Sequence, residues 1–261
     1  MTPLITLLTD FGLQDSFVGE MKGKIWTVCP ESRIVDLSHE LGAHDVELAA
    51  FAWKVSTASF PKGTIHVAVV DPGVGTSRRV LAAEIDGSYY VCPDNGLLSW
   101  ILEEAGAAHI VEADIPAFWA PQVSNTFHGR DIFAPLAAHI SCGIPIAALG
   151  KTVKDIIRLP IPRPRLDGNV IVGKPLLADR FGNLLTNMPN DLLDFAQSVE
   201  FAGYTCKQAR SYADGGPGDI LVIKGSHGYL EIAVNLGSAK DTIPNAMESI
   251  VKLYSKRTAK T

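Results

Sequence analysis

The 261-residue sequence holds no apolar run approaching the ~18 residues of a membrane span. Its N-terminus, MTPLITLLTDFG, meets Asp10 too soon for a signal-peptide core with its cleavage site. A basic surplus is also missing. The 23 Lys and Arg against 28 Asp and Glu give a net charge of −5, which disfavours a dedicated nucleic-acid binder. Cysteine is scarce: Cys29, Cys92, Cys142 and Cys206 lie far apart, with no CxxC or Cys/His spacing for zinc. The expectation is reduced, mostly buried thiols in a cytoplasmic protein. No internal repeat or low-complexity segment occurs. What remains is ordinary: 47% hydrophobic and 20% charged residues exclude bulk disorder, collagen and coiled coil. At about 150 residues per domain, the length admits one large domain or two modest ones.

Along residues 1–158, short apolar runs alternate with segments of helical spacing. Leu4–Leu8, Ile34–Leu37 and His66–Val70 read as strands. Val80–Glu84 and Tyr89–Val91 read as a hairpin across Asp86-Gly87. Helices are expected after Asp15-Ser16 (Phe17, Met21, Ile25, Val28), after Asp45 (Val46, Ala49, Ala50, Trp53), over Leu97–Glu104 and over Ile132–Ile140. Such alternation predicts an α/β domain with a largely parallel sheet. The composition changes at LPIPRPRLDG (159–168), whose three prolines exclude helix and central strand and predict an extended linker. Beyond it, Val170–Leu177, Asp219–Lys224 and Tyr229–Asn235, the last two flanking Gly225–Gly228, predict a mainly antiparallel β domain over 169–261. The final KRTAKT reads as a frayed, solvated tail.

Four clusters bring together groups able to do chemistry. Asp10 follows the first strand, where open α/β sheets bind ligands; it either grips a ribose diol or caps a turn with Gly12. Asp71-Pro-Gly-Val-Gly-Thr-Ser-Arg78 follows the third strand. It lacks the Gly-Lys-Ser/Thr end of a phosphate loop, leaving an acid and a base seven positions apart across a tight turn. That pair is either structural or orients one polar ligand atom. Asn125–Asp131 places His128 just before a helix, with Asp131 most simply its N-cap. In the second domain, Asp179–Asn183, Ser211–Asp214 and Gly225–Glu231 each mix an aromatic with amide, hydroxyl or carboxylate groups. Aromatics stack on flat bases, and an Asn amide reads a purine edge by donating and accepting.

Together, TDFG, FVGEMKG, DLSHELGAHDVELAAF, VVDPGVGTSRR, NTFHGRD, DRFGNLLTN and GSHGYLEIAVN resemble the S-adenosyl-L-methionine (SAM) hydroxide adenosyltransferases. These are SAM hydrolases related to fluorinase and chlorinase. The resemblance implies an N-terminal α/β domain, a C-terminal β-barrel, and a homotrimer whose site lies between one subunit's N-domain and a neighbour's C-domain. It implies hydrolysis of SAM to adenosine and L-methionine, with no metal or cofactor. The family's catalytic triad falls on Asp71, Arg78 and His128; which of Asp71 and His128 is the base stays open. Asp10 matches the ribose-binding position. Tyr212, with Phe181 nearby, matches the stacking aromatic, and Asn183 the reader of the purine edge. Asp179 and Ser226 match groups that hold the methionine amine and carboxylate, and the strand around Glu231 and Val234 is expected to pass the ligand with its backbone. The halogenating relatives carry Tyr, Trp and Arg at the positions of Asp71, His44 and His227. A carboxylate beside the attacking atom repels a halide, which favours water. The alternatives are a halide-using transferase, a metal-dependent hydrolase built on Asp10, Asp71, His128 and Asp131, and a non-catalytic SAM or adenosine sensor.

Overall fold

The computed structural model describes residues 4–255, so the KRTAKT tail lies outside the described residues. The chain divides into two compact units, Met1–Ile161 and Pro162–Thr261.

In the first unit the strands are β1 (Leu4–Thr9), β2 (Arg33–Ser38), β3 (Ile65–Val69), β4 (Val80–Ile85), β5 (Ser88–Pro93), β6 (Ala108–Glu112) and β7 (Lys151–Thr152). The helices are α1 (Phe17–Val28), α2 (Val46–Thr57), α3 (Ser99–Glu103) and α4 (Ala134–Ser141). Among the described residues the strands form one sheet in the order β2-β1-β3-β5-β4-β6-β7. Successive side chains of a strand face opposite ways. Ile5, Leu7, Val67 and Val69 accordingly join Met21 and Ile25 of α1 and Leu136 and Ala137 of α4 in one core. The intervening Thr6 and His66 hydrogen-bond to each other at 2.8 Å. His66 lies on Tyr90, which meets Trp53 of α2, while Phe51 of α2 packs on Trp100 of α3. Helices thus cover both faces, which is why β1 and β3 read as continuous apolar runs. Burial pushes the His66 imidazole down to about 4, so it sits in the core uncharged.

The sheet is less parallel than expected. β2, β1, β3 and β5 run parallel, but β4, β6 and β7 are antiparallel to their neighbours. The cause at β4–β5 is local: Asp86 and Gly87 take φ of +48° and +83°, and so short a connection admits only a hairpin. The third helix is shorter than expected. The fourth begins with a wide π-type turn, Gly129–Phe133. Asp131 lies inside that turn and Phe133 takes the N-cap position of α4, which corrects the capping role expected for Asp131.

The second unit contains β8 (Arg165–Asp167), β9 (Val170–Gly173), β10 (Pro175–Ala178), β11 (Leu184–Pro189), β12 (Ala196–Phe201), β13 (Tyr204–Ala209), β14 (Ile220–Lys224), β15 (Tyr229–Val234) and β16 (Val251–Ser255). Among the described residues they form one sheet, β10-β11-β15-β14-β13-β12-β16-β9-β8, with β13–β14 as its parallel pair. The proline-rich stretch ends in β8, an edge strand, where missing donors are tolerated. The run Val170–Leu177 is two strands, not one. β9 pairs with β16 and β10 with β11, so one chain segment serves both ends of a curled sheet. The break is fixed by Asn187, whose Oδ1 accepts the Lys174 N–H at 2.8 Å while its own N–H donates to Lys174 O at 3.0 Å. A Cβ on Gly173 would lie 2.4 Å from Met188, so only glycine fits there.

The β12–β13 hairpin escaped sequence reading because its turn is Ala202-Gly203, with Ala202 at φ +51°. Left-handed backbone costs an alanine about 1 kcal/mol, and Asn-Gly is the favoured pair for such a turn. Ala202→Asn is expected to stabilise the protein by about 0.5–1 kcal/mol, a rise in Tm of about 2–3 °C. An unchanged or lower Tm in thermal unfolding would show that the alanine methyl's packing outweighs the turn.

Candidate active site

The first unit gathers Asp71, Arg78 and His128 at the ends of buried elements. Asp71 stands just beyond β3, and the chain turns through Gly73 and Gly75 to bring Arg78 back to it. Arg78 Nε donates to both Asp71 oxygens at 3.0 and 2.9 Å, and Nη2 to Oδ2 at 2.5 Å. The two side chains are only 9% and 4% exposed. Arg78 Nη2 also lies 2.7 Å from His128 Nδ1. The guanidinium is seated 5.2 Å from the Phe133 ring. Gly75 has φ +77°, and a Cβ there would lie 2.4 Å from Asn125 O. That glycine is what lets the Asp71 turn approach the His128 loop. Asn95 steadies the base of the turn by donating to Val70 O at 2.8 Å.

The contact settles a tautomer. Guanidinium only donates, so His128 Nδ1 accepts, and the neutral ring carries its proton on Nε2. Burial, then the neighbouring Arg78 charge, lower the His128 pKa below its ordinary 6.5, against smaller opposite effects of Asp71 and Asp131.

Asp71 and His128 line a cavity of about 290 Å³ with Asp10, Phe11, Phe17 and Phe127. The three phenylalanines meet edge to face at 5.1–5.9 Å. Asp10 Oδ2 accepts the backbone N–H of His44 at 2.8 Å, and His44 takes φ +65°. Such a conformation in a histidine persists only where the surroundings enforce it.

The Asp10 loop has a support that sequence reading missed. Buried His39 receives the Thr9 hydroxyl at Nδ1 (2.8 Å) and faces Asp36 through Nε2 (3.1 Å). Its carbonyl accepts the Gly12 N–H at 2.7 Å. The signal was His39 directly following a strand, within DLSHE.

In the second unit a chain of hydrogen bonds links five of the expected residues. Asp179 Oδ1 accepts the N–H groups of Phe181 (2.8 Å) and Asn183 (2.9 Å), and Oδ2 accepts Asn183 Nδ2 at 3.0 Å. Asn183 Nδ2 also reaches the Tyr212 hydroxyl at 3.5 Å, and that hydroxyl donates to Glu231 Oε1 at 2.5 Å. Tyr212 rides on a single turn closed reciprocally by Ser211 and Asp214. Phe181 is 74% exposed and Tyr212 46%, both far from the usual burial of aromatics. Ser226 and His227 lie in the turn before β15, with Ser226 Oγ 3.5 Å from His227 Nδ1. Glu231 is held by its side chain rather than by the strand backbone alone. Its burial raises its pKa above the ordinary value, against the Tyr212 hydrogen bond. Val234 is buried in the core of this unit.

The set Asp10, Asp71, His128 and Asp131 does not assemble as a metal centre. Among the described residues no three or more His, Cys, Asp or Glu side chains are grouped to hold an ion. Asp71 and Asp131 face Arg78 and Arg130 instead.

Comparisons with known proteins identify the family. The family description "SAM hydroxide adenosyltransferase N-terminal domain" matches residues 5–150, and "SAM hydroxide adenosyltransferase C-terminal domain" matches 173–251. The chain is 38% identical over 251 residues to the (R)-S-adenosyl-L-methionine hydrolase of Salinispora arenicola, covering 93% of this chain and 94% of that one. It is 29% identical over 275 residues to a fluorinase of an Actinoplanes species, covering 89% and 91%. The crystal structure of an uncharacterized conserved protein from Thermotoga maritima superposes with a TM-score of 0.90 at 35% identity, over 96% of this chain and 99% of that one. Two matched domains in the right order, and relatives aligned over nearly the full length, place this chain in the SAM hydroxide adenosyltransferase family.

Proposed function

We propose that this protein hydrolyses S-adenosyl-L-methionine to adenosine and L-methionine. The observation that carries the reading is the Asp71–Arg78–His128 contact at the cavity wall, in a chain whose relatives include named (R)-SAM hydrolases. A sulfonium leaves without help from an acid, so the protein's task is to aim a water at C5′ in line with sulfur. As the O–C5′ bond forms, the C5′–S electron pair returns to sulfur and methionine departs as a neutral thioether. The water proton passes to Asp71. His128 has its Nδ1 occupied by Arg78, so its Nε2–H acts as a donor that orients the water oxygen and steadies its developing charge. Arg78 holds both partners. Asp10 takes the ribose hydroxyls. Tyr212 and Phe181 stack on adenine, and Asn183, whose Nδ2 faces Asp179, offers its Oδ1 to the purine amino group. Asp179 and Ser226 take the two ends of methionine, and the β15 backbone at Glu231 and Val234 runs beside the base.

The halide-using alternative is opposed by Asp71, which places negative charge where a halide would sit. We further read the two units as domains of 1–158 and 169–261 about the 159–168 segment, with the second sheet closing as a barrel. The protein is taken to work as a cytoplasmic homotrimer in which the ribose and base groups of different subunits meet. Its four free cysteines fit a reducing compartment.

Chelator-treated protein given SAM in halide-poor buffer is expected to release adenosine and methionine together, read by liquid chromatography. Asp71→Asn is expected to lose about 10²–10⁴ in kcat. Wild-type activity in that variant, or 5′-halonucleoside formed on adding fluoride or chloride, would overturn the assignment. The pH dependence follows from His128. Its lowered pKa keeps the ring neutral at and above pH 6.5, so kcat/KM should hold there and fall only at lower pH as the ring gains a proton. An acid limb above 6.5 contradicts this. If subunits share the site, specific activity should drop on dilution together with the trimer seen by light scattering; an active monomer excludes it.

A further inference from the structure

Asp131 is only 1% exposed, yet it caps no helix. Its Oδ2 accepts the Ser124 N–H at 2.9 Å, and its two oxygens take Arg130 Nε and Nη2 at 2.7 and 3.0 Å. The Asp131 N–H donates to Phe127 O, and its carbonyl accepts the Ala120 N–H. Arg130 Nη1 reaches Glu20 Oε2 on α1 at 2.8 Å, and its guanidinium lies 5.0 Å from the Phe127 ring. The segment from Ser124 to Asp131, with His128 inside it, is therefore closed on itself by one carboxylate and tied to α1 by one guanidinium. The wide turn at Gly129–Phe133 follows from the same closure, and such turns recur at functional sites.

We propose that Asp131, together with Arg130, is a positioning residue for the reaction: it holds the 124–131 loop so that His128 Nδ1 meets Arg78 and Nε2–H faces the cavity. This deepens the hydrolase reading and rests on it for the kinetic test alone. The charged groups acting on the His128 ring are Arg78, Asp71 and Asp131, with Arg130 and Glu20 behind Asp131. Burial and the Arg78 charge, the largest effects on that ring, both lower its pKa and both need the loop in place, so releasing the loop raises it.

The test compares wild type, Asp131→Asn and Arg130→Lys, each checked for folding by circular dichroism. His128 is titrated by NMR through its Cε1–H, assigned against His128→Gln, and kcat and KM are measured with SAM. Asp131→Asn is expected to shift the His128 pKa upward, toward its ordinary 6.5, and to lower kcat by roughly tenfold to a hundredfold, with KM within about twofold. Arg130→Lys, on a partly exposed side chain, keeps the charge but loses the forked contact. It is expected to lower kcat about threefold or more with KM unchanged, and it decides the matter if Asp131→Asn does not fold. Wild-type kcat in Arg130→Lys, or a folded Asp131→Asn with an unshifted His128 titration, overturns the proposal. The titration needs no substrate. A wild type inert to SAM alongside a shifted titration would sink the hydrolase reading and leave the clamp standing.

Discussion

One guanidinium organises the candidate site of the first unit. Arg78 can only donate, and it stands between a carboxylate and an imidazole with almost no solvent around it. Those facts dictate the state of both partners. Asp71 must offer oxygens and His128 must accept at Nδ1, so the ring's remaining proton points elsewhere. A lysine would carry the same charge without the planar fork that reaches both neighbours. Much of the surrounding backbone serves this contact. Gly75 has no Cβ because Asn125 O occupies the space, Asn95 holds Val70 O, and Phe133 gives the guanidinium a flat seat.

The second unit solves its problem differently. Among the described residues no comparable buried cation stands at its candidate site. Polar groups are ordered there by a relay: Asn183 Nδ2 donates to Asp179 and to Tyr212, and Tyr212 donates to Glu231. The relay ties down Tyr212 although nearly half its surface is open. Glu231 is the buried end of the relay, and its raised pKa reflects how little water reaches it.

The proposed hydrolysis needs no acid at the leaving sulfur, one base for the water, and much placement. The leaving group is already cationic, so the barrier is lowered by alignment and by charge held ready near the incoming oxygen. This suits a site made from three loops, those after β1 and β3 and the one before α4, each secured by its own buried polar contact: His39 with Thr9, Asn95 with Val70, Asp131 with Ser124.

Local pattern made part of this legible without coordinates. The apolar runs of β1 and β3 reported coverage on both faces, and Asp86-Gly87 reported its own turn because two successive left-handed residues need such types. Asp10, Asp71 and His128 stood out by their places at two strand ends and before a helix. Other features had no local signature. The Ala202 turn uses a residue that favours other conformations, and Asn187 divides Val170–Leu177 from the far side of the sheet. Asp131 looked like a helix cap because sequence shows what a residue can bond, not what reaches it. The sequence by itself determined burial periodicity, turn propensity and the inventory of reactive groups, since each depends on near neighbours. The tertiary structure alone decided the pairing of Arg78 with a histidine 50 positions away, the ring's tautomer and the clamp from Asp131 to α1, because those follow from packing between distant segments.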